Sequence, residues 1–219
     1  MSEDGTPGDQ GRRLVLLRHA KSEWPDVADH ERPLAKRGRR DAPVVGRWLA
    51  ESGYAPDAVV CSTARRARET WTLAEAGLAE VLLPAAGLAG SGLAGSGLAG
   101  SGLAGSGLAE AGLPAAGLPA DGSGAPPVVR YDSRVYEATV LGLLMLIREF
   151  EPRWRTAMIV GHNPGLAELT VGLAGPHPDP PSAFPTAAVA VLGLPGAWAD
   201  AAPGEACLLA FAVPANMRP

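Results

Sequence analysis

Two histidines and two arginines occupy equivalent places in this chain. Arg18-His19 follows the apolar run Leu14 to Leu17, and Gly161-His162 follows Thr156 to Val160. Ser62, with Arg65 and Arg66 close behind it, follows Ala58 to Cys61. An arginine is always charged, and its planar guanidinium donates parallel hydrogen bonds that match two oxygens of a phosphate. An imidazole changes its charge near neutral pH and serves as base, donor or nucleophile. A lone histidine after a strand is more often a satisfied structural residue, so it is the repetition that points to chemistry. Phosphate is the natural ligand of such a set.

The elements that must carry these residues can be read from the apolar pattern. Short, unbroken apolar runs are expected of strands buried on both faces of a parallel sheet. Between the first two, Val44, Val45, Trp48 and Leu49 recur at helical spacing, with Asp41 as a cap, Pro43 in the first turn and Gly53 as the stop. Ser62 is expected to cap a second helix carrying Arg65, Arg66, Arg68 and Glu69. Leu141 to Phe150 reads as an apolar helix ended by Pro152, and Leu166 to Leu173 as another. Further strands are expected near 128–131, 188–194 and 207–213, with a loop over Pro176 to Pro185 and Trp198 in a connecting turn. Alternating strands and helices predict an α/β fold. Ligands of an open α/β sheet bind beyond the carboxyl ends of its parallel strands, so the three polar strand ends can meet in one crevice.

The chain has 219 residues and a formal net charge of −4, which predicts one ordinary domain with an insertion. The acidic balance argues against non-specific nucleic-acid binding, so an anionic ligand must meet a local arginine cluster. Two cysteines, Cys61 and Cys207, form neither a disulfide framework nor a metal-binding spacing. They read as buried thiols in a reducing compartment. The polar start of the chain lacks the order of a signal peptide, and no apolar run has the length of a membrane span. A cytoplasmic monomer without membrane attachment is expected. Glycine and proline, 28 and 21 residues, are in excess, and the excess is local. From Gly77 to Asp121 the sequence has a five-residue period, including four copies of Gly-Leu-Ala-Gly-Ser from Gly87 to Ser106. On a helix each repeat turns the leucine by about 140°, so no apolar stripe forms. The organisation expected is a tail over residues 1–12, one domain over 13–213 interrupted by a flexible low-complexity insertion at 84–122, and a tail over 214–219.

The segment Leu14-Val15-Leu16-Leu17-Arg18-His19-Ala20-Lys21-Ser22 resembles the Arg-His-Gly signature of the histidine phosphatase superfamily. Glu31-Arg32-Pro33-Leu34 with Lys36-Arg37-Gly38, the Ser62 to Thr70 segment, and Val160-Gly161-His162-Asn163-Pro164 follow in the order of its small SixA-like branch. The resemblance covers residues 13–76 and 128–213. Ala20 departs from the usual glycine, and the repeats fall where the family has a short connection. The resemblance implies a phosphoglycerate-mutase-like fold, a three-layer α/β/α sandwich around a mixed, mostly parallel sheet of five or six strands. It implies His19 as the nucleophile, with its Nδ1–H held by a carbonyl, and Arg18, Arg66 and His162 around the phosphoryl oxygens, His162 adding positive charge if it is cationic. No metal and no cofactor are implied. Arg32, Asp29 and Lys21 are candidate substrate-binding residues, and Arg65 and Arg68 are expected to be solvated or paired with Glu69 or Glu75. Glu137 is the positional candidate for a general acid, with a helix-start carboxylate as its other reading.

The activity implied is metal-independent hydrolysis of phosphohistidine, on a partner such as a phosphotransfer domain. A phosphatase of small phosphate esters is the alternative within the family. A binding or scaffold protein using the repeats is the alternative outside it; it would be free to lose His19, Arg18, Arg66 or His162, and all four are present.

Overall fold

In the computed structural model, which describes residues 11–82, 127–175 and 183–217, six strands form one sheet in the order β3-β2-β4-β1-β5-β6. They are β1 (Arg12–Arg18), β2 (Ala58–Ser62), β3 (Val128–Asp132), β4 (Thr156–Gly161), β5 (Val189–Leu194) and β6 (Cys207–Ala212). β1 to β4 are mutually parallel; β5 runs antiparallel to β1, and β6 antiparallel to β5. The sheet is therefore mixed and mostly parallel, and the neighbours β2, β4 and β1 deliver Ser62, Gly161 and Arg18 to the same edge.

Four helices cover the two faces: α1 (Lys36–Glu51), α2 (Arg65–Leu82), α3 (Val140–Arg148) and α4 (Gly165–Ala174). Along β1, Val15 and Leu17 pack with Ala42, Val45, Trp71 and Leu78 of α1 and α2. Leu14 and Leu16 face the other way, onto Leu143 and Ile147 of α3 and Leu166 and Leu169 of α4. Two covered faces explain the unbroken apolar runs, since alternate residues of each strand enter different cores. The result is the expected three-layer α/β/α sandwich.

Several boundaries differ from the sequence reading. α1 begins at Lys36, not Asp41, and Pro43 lies in its interior. Its first turn is basic and Ala35 supplies no side-chain cap, so the usual start signals are missing. Packing holds the helix instead. The backbones of α1 and α2 cross so closely that a Cβ on Gly46 would fall 1.7 Å from the Ala74 carbonyl oxygen, and one on Gly77 2.1 Å from that of Pro43. Gly77, which opens the five-residue period, is thus helical. Ser62 closes β2 rather than capping α2, and its Oγ accepts from the Ala64 N–H at 3.3 Å.

Cys61 is buried, as expected, but Cys207 is exposed, because it lies on edge strand β6. Arg12 is already part of β1, and Met217 is buried against the α1–α2 core, so neither expected tail boundary coincides with the end of the packed structure. Trp198 belongs to a short 3-10 helix in the β5–β6 connection, yet its ring is buried and its Nε1 donates to the Trp154 carbonyl at 2.9 Å. The insertion at 84–122 lies outside the described residues, as do residues 1–10 and much of the proline-rich loop. Among the described residues no helix is long and apolar enough to cross a membrane.

Candidate active site

The polar ends of β1, β2 and β4 open into a cleft of about 580 Å³. Arg18, His19, Arg66 and His162 all line it, as do Lys21, Arg32 and Glu137. Arg18 closes β1, His19 and His162 follow β1 and β4, and Arg66 enters from the first turn of α2, so the four side chains share one cleft.

His19 is 9% exposed, and its Nδ1 lies 2.8 Å from the carbonyl oxygen of Ala20. A carbonyl only accepts, so Nδ1 carries the proton and Nε2 keeps its lone pair. Burial, with the charges of Arg66, Arg18 and Arg32, lowers the pKa of His19 to about 4, against the opposing Ala20 hydrogen bond. The imidazole is therefore neutral at pH 7. Its loop is tied down from α2: the Ala20 N–H donates to Thr70 Oγ1 at 2.9 Å, and that hydroxyl donates to the Arg66 carbonyl at 2.6 Å.

His162 stands opposite, with the two ring centroids 5.1 Å apart. Its Nε2 is 2.8 Å from Ser62 Oγ, while the buried Nδ1 has no partner among the described residues. Ser62 Oγ accepts from Ala64 and can still either donate to Nε2 or accept from it, so this contact holds the ring in place without setting its tautomer. Burial first, then His19 and Arg66, lower the pKa of His162 to about 3. The contribution of a cationic His162 does not hold for the free cleft: two buried histidines beside three arginines stay neutral, and the arginines supply the positive charge.

Arg18 Nη1 donates to the carbonyl of Phe184 at 2.7 Å, and Asn163 Nδ2 donates to the same oxygen at 2.9 Å. The Nε atoms of both Arg18 and Arg66 are buried without a partner among the described residues. Arg66 Nη1 and Nη2 reach the carbonyl oxygen and Oδ2 of Asp29, at 2.6 and 2.9 Å.

Asp29 is not among the residues that line the cleft, although it was expected to bind substrate. Its short 3-10 helix, Asp29–Glu31, places it where it also accepts from Arg32 Nη1 at 2.8 Å and from the Tyr136 hydroxyl at 2.7 Å. These donors hold its carboxyl well below the usual carboxylate range, Arg32 first and Tyr136 next. Arg32 borders the cleft but is likewise occupied: Nε donates to the Glu23 carbonyl at 2.9 Å and Nη2 to Ser22 Oγ at 2.8 Å. Arg65 pairs with Glu69 at 2.7 Å.

Glu137 is exposed on the cleft rim at φ 52°, in the left-handed region. That conformation costs a non-glycine residue on the order of 1 kcal/mol, and such strain recurs at active sites as well as in turns. Residues missed in the sequence include Tyr136, Trp24, Asn163, Thr186 and Glu168. Tyr136 could have been suspected beside Glu137, and Asn163 stands inside the motif that follows β4; the others carried no signal of their own. No group of three or more metal-ligating side chains is gathered among the described residues. A neutral imidazole with a free lone pair, ringed by fixed guanidinium groups, can attack phosphorus and stabilise the spread charge of phosphoryl transfer.

The model of the histidine phosphatase superfamily (branch 1) matches residues 14–89. An uncharacterised protein of Mycobacterium tuberculosis is 34% identical over 206 residues, covering 90% of this chain and 99% of its own length. The structure of the SixA protein from Nakamurella multipartitia matches with a TM-score of 0.63 and 27% identity, over 92% of this chain and 95% of that one. The protein histidine phosphatase SixA in complex with tungstate is similar in fold, with a TM-score of 0.59 and 16% identity over 94% of this chain and 99% of that one.

Proposed function

This chain belongs to the histidine phosphatase superfamily, and we propose that it hydrolyses phosphohistidine on a partner protein, through a phosphoryl intermediate on His19. The observation that carries the reading is the hydrogen bond from His19 Nδ1 to Ala20, which presents Nε2 as a nucleophile in a cleft that also holds Arg18, Arg66 and His162.

In the first step, Nε2 forms a bond to phosphorus as the bond from phosphorus to the substrate imidazole breaks. The substrate ring, protonated on its other nitrogen, departs neutral with the bonding electron pair. The charge gained by His19 is shared through Nδ1–H with the Ala20 carbonyl. Water then attacks phosphorus, the P–Nε2 bond breaks, and inorganic phosphate and a proton leave neutral His19. Arg18, Arg66 and His162 act on the non-bridging oxygens. Lys21 meets the substrate at the mouth, while Asp29 and Arg32 hold the other groups in place.

The test is turnover, with chelator present, of a phosphohistidine protein, p-nitrophenyl phosphate and a sugar phosphate, by wild type and His19→Ala. Preference for phosphohistidine, lost in the variant, is expected; preference for the esters overturns it. One observation favours ester hydrolysis as the second reading. Glu137 borders the cleft in a conformation that costs energy, and an ester leaving group needs the proton a carboxylic acid can give. Under that reading Glu137→Gln lowers ester turnover about 10²-fold, and under the first it leaves phosphohistidine turnover unchanged.

A further inference from the structure

Trp24 stands at the mouth of the cleft with 78% of its surface exposed, unusual for an indole. It is nevertheless held in place. The guanidinium of Arg32 lies over its ring, 3.1 Å from the centroid. Arg32 is 6% exposed, and each of its three nitrogens is bonded: to the Glu23 carbonyl, to Asp29 and to Ser22. The base of the loop is tied as well, because Ser22 bridges to Leu34 and the Glu23 N–H donates to the Pro33 carbonyl at 3.0 Å. The protein has thus built a rigid support under one face of an indole and left the remainder open.

The cleft is also larger than the reaction centre requires. A volume of about 580 Å³ is that of a site for a drug-sized ligand, far more than a phosphoryl group fills. The remaining space is large enough for a leaving group, and Trp24 lines the cleft. A fixed aromatic face loses little freedom when a second ring stacks on it.

We infer that Trp24, backed by Arg32, is a stacking platform for the leaving group, which selects substrates whose phosphoryl group departs from a planar ring. The inference rests on the phosphoryl-transfer reading above and deepens it: the imidazole of phosphohistidine is such a ring. Arg32 then acts by seating the indole, not by holding phosphate.

The test compares two compounds with the same bond and different leaving groups, phosphoimidazole and phosphoramidate, in wild type, Trp24→Ala and Trp24→Phe. For phosphoimidazole, Trp24→Ala is expected to raise KM roughly tenfold with kcat within about twofold. For phosphoramidate, kcat/KM stays within about twofold, and Trp24→Phe retains most of the wild-type behaviour throughout. Equal losses on both compounds, or no loss on either, overturn the platform. If the wild type hydrolyses neither but does hydrolyse esters, the phosphohistidine reading fails alone, and phenyl phosphate against glycerol phosphate judges Trp24 by the same rule. If the wild type hydrolyses none of the four, both readings fall.

Discussion

Asp29 grips Arg66 at two points, with its carboxylate on Nη2 at 2.9 Å and its own backbone carbonyl on Nη1 at 2.6 Å. The same carboxylate accepts from Arg32 and Tyr136, so one acidic residue from the loop before α1 orients groups on α2 and on the segment after β3. A guanidinium fixed before the substrate arrives needs no reorganisation when charge develops on the phosphoryl oxygens.

Removing that grip should lower activity without unfolding the protein. A displacement of about 1 Å at a charge-stabilising group costs on the order of 10²-fold in rate. Asp29→Ala is expected to lower kcat/KM by about that factor and to weaken inhibition by inorganic phosphate. Tyr136→Phe, which removes one of several donors, should cost less than about tenfold. Steady-state kinetics with phosphate as inhibitor measure both, and an unchanged Asp29→Ala enzyme would contradict the clamp.

The acid limb of activity should lie well below the range of an ordinary histidine. With its pKa lowered to about 4, chiefly by burial, His19 keeps its lone pair until the pH falls through that value. Below it the imidazole is protonated, and kcat/KM, corrected for substrate ionisation, should fall about tenfold per pH unit. Nitrogen NMR of the His19 ring across the same range checks the assignment directly. A limb near pH 6.5 contradicts it.

The same depression makes folding sensitive to acid. The unfolded chain binds a proton at His19 near pH 6.5 while the folded chain resists until about pH 4, so stability is lost as pH falls through that window. At pH 5 the loss from His19 is about 2 kcal/mol. Urea melts at pH 7 and pH 5 should show it, and His19→Asn should remove only about half of the histidine contribution, because His162, lowered to about 3, adds a loss of similar size. A wild-type stability that does not change over this range rules it out.

The α1–α2 crossing admits no side chain at its closest point. A Cβ at Gly46 would meet backbone atoms of Ala74 and Leu78 that cannot rotate away. Gly46→Ala is therefore expected to destabilise by about 2 kcal/mol or more, although alanine favours a helix. Gly172→Ala, on α4 with open space around the added methyl, should be neutral or stabilising. Denaturation midpoints of the two variants decide it, with the reversed order as the contrary outcome.

Elements covered on both sides were legible in the sequence. The runs Leu14 to Leu17, Ala58 to Cys61 and Ala157 to Val160 are apolar because each strand feeds two cores. The start of α1 was not legible, since Ala35 does not cap it and its first turn is basic. Its helical state is decided by packing against α2, which no local signal records. Arg18, His19 and His162 were legible because they stand at strand ends, whereas Arg66 was separated from Arg65 only by the family resemblance. Trp24 and Tyr136 were not: Trp24 is seated by Arg32 through a loop with no periodic pattern, and Tyr136 meets Asp29 across 107 positions.

The amino-acid order by itself determined the α/β class and the polar strand ends, because short-range periodicity and residue type suffice for that, and the family resemblance carried by its motifs singled out Arg66 from Arg65. Only the tertiary structure decided what each side chain is free to do. It made both histidines neutral by burying them, turned Asp29 and Arg32 from candidate ligands into supports, and left Trp24 exposed on a rigid seat. Burial, charge proximity and hydrogen bonds between distant residues exist only once the chain has folded, and these set protonation, orientation and access.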